Sequence, residues 1–403
     1  MNTDIQFYSD EALESFLLRL SDDKGYERYS HFAEDTWHEV LNLHEAIPGA
    51  FPLELNRANI YHAQTTSQMR VRVLIHLENQ LKRNNYGLLG LALSHSKSQF
   101  SPDFKAVHRF GVDYPYGFIR KRYTPICPQC LEDAPYIRQP WQFITHQACE
   151  RHGCKLIHHC PGCHSRLEYR NTESIYQCEC GFDLRNSPVE AAPEAELQLA
   201  RWLSGSDSKP LGQLKTEMTP SERYGFLLWY VHRYGDVENI SFESFVEYCS
   251  CWPKVLWQEL DDLVKRADLV RVKDWKKTFF NEAFGALLKE CRQLPSRQLS
   301  RNSVLTQLLA YFTKLMATVP SSVKGNIGDV LLSPLEASTL LSCTTDEVYR
   351  LYEFGEIKAS IRPRMHTKIA SHESAFTLRS VIETKLTRMS SESDGLSVYL
   401  PEW

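Results

Sequence analysis

Eight cysteine and histidine residues between Cys127 and Cys180 constrain the fold of this 403-residue chain more than any other feature. They run Cys127-Pro128-Gln129-Cys130, then Cys149-Glu150-Arg151-His152, then Cys160-Pro161-Gly162-Cys163, then Cys178-Glu179-Cys180. A short gap lets one tight turn present two side chains to a single ion, and zinc takes a closed tetrahedron of thiolate and imidazole. The spacing therefore predicts two zinc ions per chain. Site one is Cys127, Cys130, Cys149 and His152; site two is Cys160, Cys163, Cys178 and Cys180. Cys154, His146, His158, His159 and His164 lie among these ligands, and each could replace one of them. The gap between Cys178 and Cys180 is one residue shorter than the others, which leaves the second set the more open to such a shift.

Two sets of four ligands leave no coordination position for an activated water, so the metal is expected to hold a fold rather than to do chemistry. No P-loop, nucleophile elbow or His-Glu-x-x-His pattern accompanies them, which argues against a metalloenzyme. The chain opens without an apolar signal segment, so a reducing cytoplasmic setting is expected and a disulfide framework is not. No apolar run reaches the roughly 18 residues that a membrane span needs.

The formal charge is −4, with no basic excess of the kind that grips duplex DNA without sequence preference. Arg120-Lys121-Arg122, just ahead of the first ligand, could meet a nucleic-acid backbone or an acidic protein face, or form a solvated turn.

Apolar periodicity predicts helices on both sides of the ligand cluster. Leu13, Phe16, Leu17 and Leu20 share one helical face behind a cap at Ser9 or Asp10, and Gly25 ends that segment. Further helices are expected over residues 68–81 and 86–93, an arrangement compatible with a helix-turn-helix. After Pro193, helical patterns cover Leu197 to Leu203, then residues 221–234, 241–252, 253–266, 275–291 and 303–316. Trp229, Tyr230, Trp252 and Trp257 read as core, and Cys249, Cys251, Cys291 and Cys343 as small buried or half-buried hydrophobes. Near the end, Leu332-Ser333-Pro334-Leu335-Glu336-Ala337 opens a short helix. Cys343-Thr344-Thr345-Asp346 then makes a turn and a cap, and Val348 to Phe354 forms a second helix before Gly355. Lys358, Arg362, Arg364, His366 and Lys368 follow, in a layout similar to excisionase and MerR-type helix-turn-helix units. Asp346, Glu347 and Glu353 on the second helix favour protein binding over base reading.

The expected fold is thus mainly α. A helix-turn-helix-like N-terminal domain (1–105) precedes a small double zinc-finger module (106–186), a helical domain (187–322) and a C-terminal helix-turn-helix-like domain (323–403).

The order Cys127-Pro128-Gln129-Cys130-Leu131, Trp141, Cys149-x-x-His152-x-x-x-Leu156 and Cys160-x-x-Cys163 resembles the TniQ/TnsD family of transposition target-selection proteins. The opening Tyr8-Ser9-Asp10-Glu11-Ala12-Leu13-Glu14-Ser15-Phe16 is similar to the helix that begins its members. The length is most like that of TniQ from type I-F CRISPR-associated transposons. That resemblance implies a non-enzymatic homodimer that binds the guide-RNA complex Cascade and recruits the AAA+ regulator TnsC, with only indirect contact to target DNA. The alternative is a TnsD-like protein that reads the attachment site directly.

Overall fold

The computed structural model describes residues 5–43, 51–63, 67–81, 87–96, 105–206, 209–215, 217–235, 239–296, 298–360 and 369–393. Among them the fold is mainly α, with sixteen α-helices and seven short strands. The chain divides into two compact units, Met1–Leu211 with Val237–Val246, and Gly212–Asp236 with Glu247–Trp403. No described helix is long and apolar enough to cross a membrane.

The first unit begins with α1 (Leu13–Asp23), α2 (Tyr29–Leu43), α3 (Ser67–Gln80) and α4 (Gly87–Leu91). Leu13, Phe16, Leu17 and Leu20 are all buried, as their spacing requires, and burial of each contributes roughly 1.5–3 kcal/mol. The cap differs from expectation: α1 starts after Ala12, and neither Ser9 nor Asp10 caps it, because Asp10 is engaged elsewhere. Gly25 follows with φ +83°, a conformation that glycine adopts without strain. The short helix expected from Tyr86 is α4, and Tyr86 itself lies outside the described residues.

Three strands unforeseen in the sequence follow α4. They are β1 (Ser94–His95), β2 (Ala106–Arg109) and β3 (Val112–Pro115), antiparallel in the order β1-β2-β3, with Val107 opposite Tyr114. The ligand region then folds as α5 (Pro128–Asp133), the hairpin β4 (Ala148–Cys149) with β5 (Cys154–Lys155), and α6 (Tyr169–Thr172). The helix α7 (Glu194–Ser204) buries Leu197, Ala200, Trp202 and Leu203. Asp207 and Ser208 of the loop expected after it lie outside the described residues. One hydrophobic core takes in Phe16 of α1, Leu74 and Leu77 of α3, and Cys127, Cys149, Cys160 and Leu184. The opening helices and the ligand-bearing turns are therefore packed as one body.

The second unit carries α8 (Pro220–Tyr234), α10 (Lys254–Val270), α11 (Phe280–Phe284), α12 (Leu287–Cys291), α13 (Ser303–Thr318), α14 (Pro334–Leu341), α15 (Thr345–Glu353) and α16 (Leu378–Ser393); α9 (Phe242–Ser250) contains the boundary. The helix starts are set by local chemistry. At α8 the Thr219 hydroxyl accepts from the Glu222 N–H at 3.4 Å, the Glu222 carboxylate accepts from the Thr219 N–H at 2.8 Å, and Pro220 occupies the first helical position. Ser333, Pro334 and Glu336 repeat that arrangement at α14, and Thr344 caps α15. The single helix suggested over residues 275–291 is instead a 3-10 turn followed by α11 and α12. Gly285, at φ +62°, separates those two helices.

A two-strand pairing of β6 (Leu331–Leu332) with β7 (Phe376–Thr377) brings α16 back to α14. Arg362, Arg364, His366 and Lys368 lie outside the described residues. Trp229 and Trp252 are core residues, as are Cys249, Cys291 and Cys343, whereas Cys251 is exposed rather than buried.

Candidate metal centre

The first ligand group is assembled from one helix start and one hairpin. Cys127 is the N-cap of α5 and Pro128 its first residue, so the helix begins within the Cys-x-x-Cys turn and the Cys130 N–H points at Cys127 Sγ, 3.5 Å away. Cys149 ends β4, and the turn that follows is closed by the Gly153 N–H donating to the Cys149 carbonyl at 2.8 Å, with Gly153 at φ +66°. That turn swings His152 inward. Its Nδ1 stands 3.5, 3.3 and 3.6 Å from the sulfurs of Cys127, Cys130 and Cys149, and Cys130 Sγ is 3.5 Å from Cys149 Sγ.

The second group joins two turns. In one, the His164 N–H donates to the Cys160 carbonyl and the Gly162 N–H lies 3.3 Å from Cys160 Sγ. In the other, the Gly181 N–H donates to the Cys178 carbonyl at 2.8 Å, with Gly181 at φ +84°. This tight reversal is what lets Cys178 and Cys180 face one centre across a single intervening residue. Sγ separations are 3.7 Å for Cys160 with Cys180 and 3.7 Å for Cys163 with Cys178.

These distances test the fit to a metal. Metal–sulfur bonds of about 2.3 Å at tetrahedral angles place sulfurs about 3.8 Å apart, and a nitrogen ligand about 3.6 Å from sulfur. A disulfide would need about 2.05 Å. All eight residues fit the tetrahedral edge, and within each group every ligand atom lies within 4.8 Å of the others. The Cys127 sulfur and its neighbour Cys149, together with burial, push the Cys130 thiol well above the ordinary cysteine range. A bound cation relieves this crowding by taking the place of the protons.

The other residues considered from the sequence fall outside both groups. Cys154 Sγ is 3.5 Å from Cys127 Sγ but is not part of the four-membered set. His146 is buried, and burial followed by the nearby Arg120 charge pushes it down to about 3. His158 lies against the Tyr123 ring, and His159 pairs with Arg166 across a β-bridge. His164 takes a left-handed conformation, φ 60°, in the turn after Cys163.

Two features were not read from the sequence. Asp133, one helical turn beyond Cys130, places Oδ2 3.2 Å from His152 Nε2; with Nδ1 facing the sulfurs, Nε2–H donates to this carboxylate. An acidic residue three positions after the second cysteine was the available signal. Arg120 is 2% exposed and donates to the carbonyls of Phe143 and His146 and to the Tyr123 hydroxyl, so only Lys121 and Arg122 of that basic triplet face solvent.

The opening segment of the chain is clamped to the stretch just after α5. Tyr8 stacks on Tyr136 with ring centroids 4.0 Å apart, and the Tyr136 hydroxyl donates to Asp10 at 2.9 Å. Arg138 pairs with the same carboxylate. The Ala12 N–H donates to the Ile137 carbonyl, and the Ile137 N–H to Ser15 Oγ, each at 2.9 Å. Arg109 of β2 reaches the Ser9 and Glu11 carbonyls.

Glu11 is fully buried, accepting from Ser15 Oγ at 2.8 Å and from Arg19 at 2.7 Å. Burial lifts its carboxyl from 4.5 to about 7, against the opposing pull of Arg19. Between those two values the folded protein keeps a proton that the unfolded chain has released, so this group's contribution to stability declines as pH rises through the window. Glu11→Gln removes the titration. Raising pH from about 5.5 to about 7.5 is therefore expected to shift the stability difference toward the variant by about 2 kcal/mol, measured by urea unfolding of both proteins.

A family model described as TniQ matches residues 3–156, a span that includes the clamped opening segment and all four residues of the first ligand group and ends before Cys160. No curated protein matches the chain. Over residues 3–156 the chain is thus similar to the TniQ family.

Proposed function

We propose that this protein is a non-enzymatic target-selection adaptor that binds a guide-RNA Cascade complex as a homodimer and recruits the AAA+ regulator TnsC, with target DNA contacted only indirectly. The observation that carries this reading is the TniQ match over a region that holds one complete four-ligand group, with a second just beyond it, and such groups leave no position open for substrate or water. Such groups hold surfaces in place. In this reading Cys127, Cys130, Cys149 and His152 hold one structural zinc, and Cys160, Cys163, Cys178 and Cys180 a second. The pair α14 and α15 serves as a helix-turn-helix-like docking element, since Asp346 and Glu347 occupy the first turn of α15.

The test is biochemical. The purified protein should co-purify with a Cascade complex encoded beside it. Its deletion should abolish guided insertion while leaving target binding by that complex intact. Light scattering at micromolar concentration should give the dimer mass. Site-specific nanomolar binding to duplex at physiological salt without Cascade would overturn the adaptor and favour the direct DNA reader. For the metal, Asp133→Ala is expected to weaken affinity at the first site by roughly 10–100-fold, read by chelator competition, because it removes the acceptor that orients His152.

A further inference from the structure

The helix α10 outruns the core that seats it. Leu256 and Leu260 are buried, yet the apolar pattern continues to its end, where Leu269 is 85% and Val270 69% exposed. The helix stops with the Arg271 N–H bonded to the Ala267 carbonyl, and the chain leaves in an extended conformation that presents Val272, 98% exposed. Three adjacent large aliphatic residues are thus left in water at one place, whereas isolated exposed apolar residues are ordinary. Beside them lies a cleft between the end of α10 and α11, with Ala267, Thr278 and Ala283 at its floor and the exposed Val270 and Val272 along its edge.

Its rim is basic. Arg266, Arg271 and Lys273 line the cleft with Glu282, and Asp268 stands beside Arg271, which leaves a balance of +1. Lys273 is held by Glu282 at 2.9 Å, and Arg271 lies over the Trp275 ring at 4.7 Å while reaching Asp268 at 3.5 Å. Arg266 has no acidic partner within ion-pair distance among the described residues.

From this geometry we infer that the cleft is the docking site for an amphipathic segment of a partner protein with an apolar stripe and carboxylates along its edges. An aliphatic stripe fills the floor and covers Leu269 and Val272, while the carboxylates meet Arg266 and Arg271. A nucleic-acid backbone would satisfy the rim but leave the aliphatic edge in water. The site goes beyond the adaptor reading, and its test involves neither Cascade nor TnsC, so either can fail while the other stands.

The probe is a synthetic peptide of roughly five helical turns with leucine at helical spacing and glutamate elsewhere, its control the same peptide with lysine for glutamate. Fluorescence anisotropy with the full chain should show micromolar binding of the glutamate peptide, weakened at least about tenfold by V272D and by R266E. V323D alters another valine that is 96% exposed and should leave binding unchanged. All three positions are exposed, so the fold should survive, and circular dichroism checks this. Equal binding of the lysine peptide, no binding of the glutamate peptide, or no effect of V272D would overturn the inference. So would adsorption of the wild type but not V272D to phosphatidylserine vesicles, which assigns the patch to lipid, or a lower mass for V272D by light scattering, which assigns it to a second copy.

Discussion

Cys149→Ser is expected to release the metal of the first group and unfold the body built around it, and Cys127→Ser is expected to do the same. A structural zinc of this kind contributes on the order of 10 kcal/mol of apparent binding free energy, comparable to the whole stability of an ordinary domain. Here the loss does not stay local. Cys127, Cys130 and Cys149 belong to the same hydrophobic core as Phe16 and Leu77, so collapse of the metal site opens the packing of α1 and α3. Metal analysis should fall from two zinc ions per chain to one or fewer, and limited proteolysis should cut within residues 5–211. Cys251→Ser, at an exposed position outside both groups, should leave zinc content and proteolysis unchanged. Two zinc ions and a protected first unit in the Cys149→Ser protein would contradict the metal assignment.

Gly225→Ala should destabilise the second unit by about 3 kcal/mol, although the same change inside an exposed helix would stabilise it by about 1 kcal/mol. Gly225 lies in the middle of α8, and a Cβ there would sit 2.0 Å from the Pro295 carbonyl oxygen and 2.8 Å from its carbon. Both are backbone atoms, so no rotamer change relieves the clash, and α8 must separate from the segment carrying Pro295. Gly117 provides the comparison, because a Cβ added there meets nothing within 4 Å and should be accepted. Urea unfolding of the two variants reads the difference directly. A Gly225→Ala protein as stable as the wild type would mean that this close approach does not exist in solution.

Much of the ligand cluster was legible because its chemistry is local. Within each pair the two ligands are separated by one or two residues, and a turn of that length brings them together wherever it sits. Helix starts were readable for the same reason. Ser333 with Pro334, and Thr344, cap their own backbone a few residues on. The apolar period likewise found the buried face of α1, but it could not say where burial stops. In α10 the same spacing covers both Leu260, which is buried, and Val264, which is only half-buried. Periodicity records which side chains share a face, and not whether another element covers that face.

Long-range partners lay beyond reading of this kind. Asp10 looked like a helix cap, yet it binds Arg138 and Tyr136, which lie 128 and 126 residues away. Arg120 looked like part of a basic surface, yet it is buried because three acceptors, from Phe143, His146 and Tyr123, surround its guanidinium. By itself the sequence determined which thiols and imidazole pair within turns and the helical character of most of the chain, since each depends on residues a few positions apart. Tertiary structure alone decided that the opening segment, the unforeseen three-stranded sheet and the thiol turns form one body. It also decided that Asp133 orients His152 and that the end of α10 remains uncovered. Each of these depends on which distant atoms meet, and whether a charged side chain is paired or solvated is settled only by what the fold brings beside it.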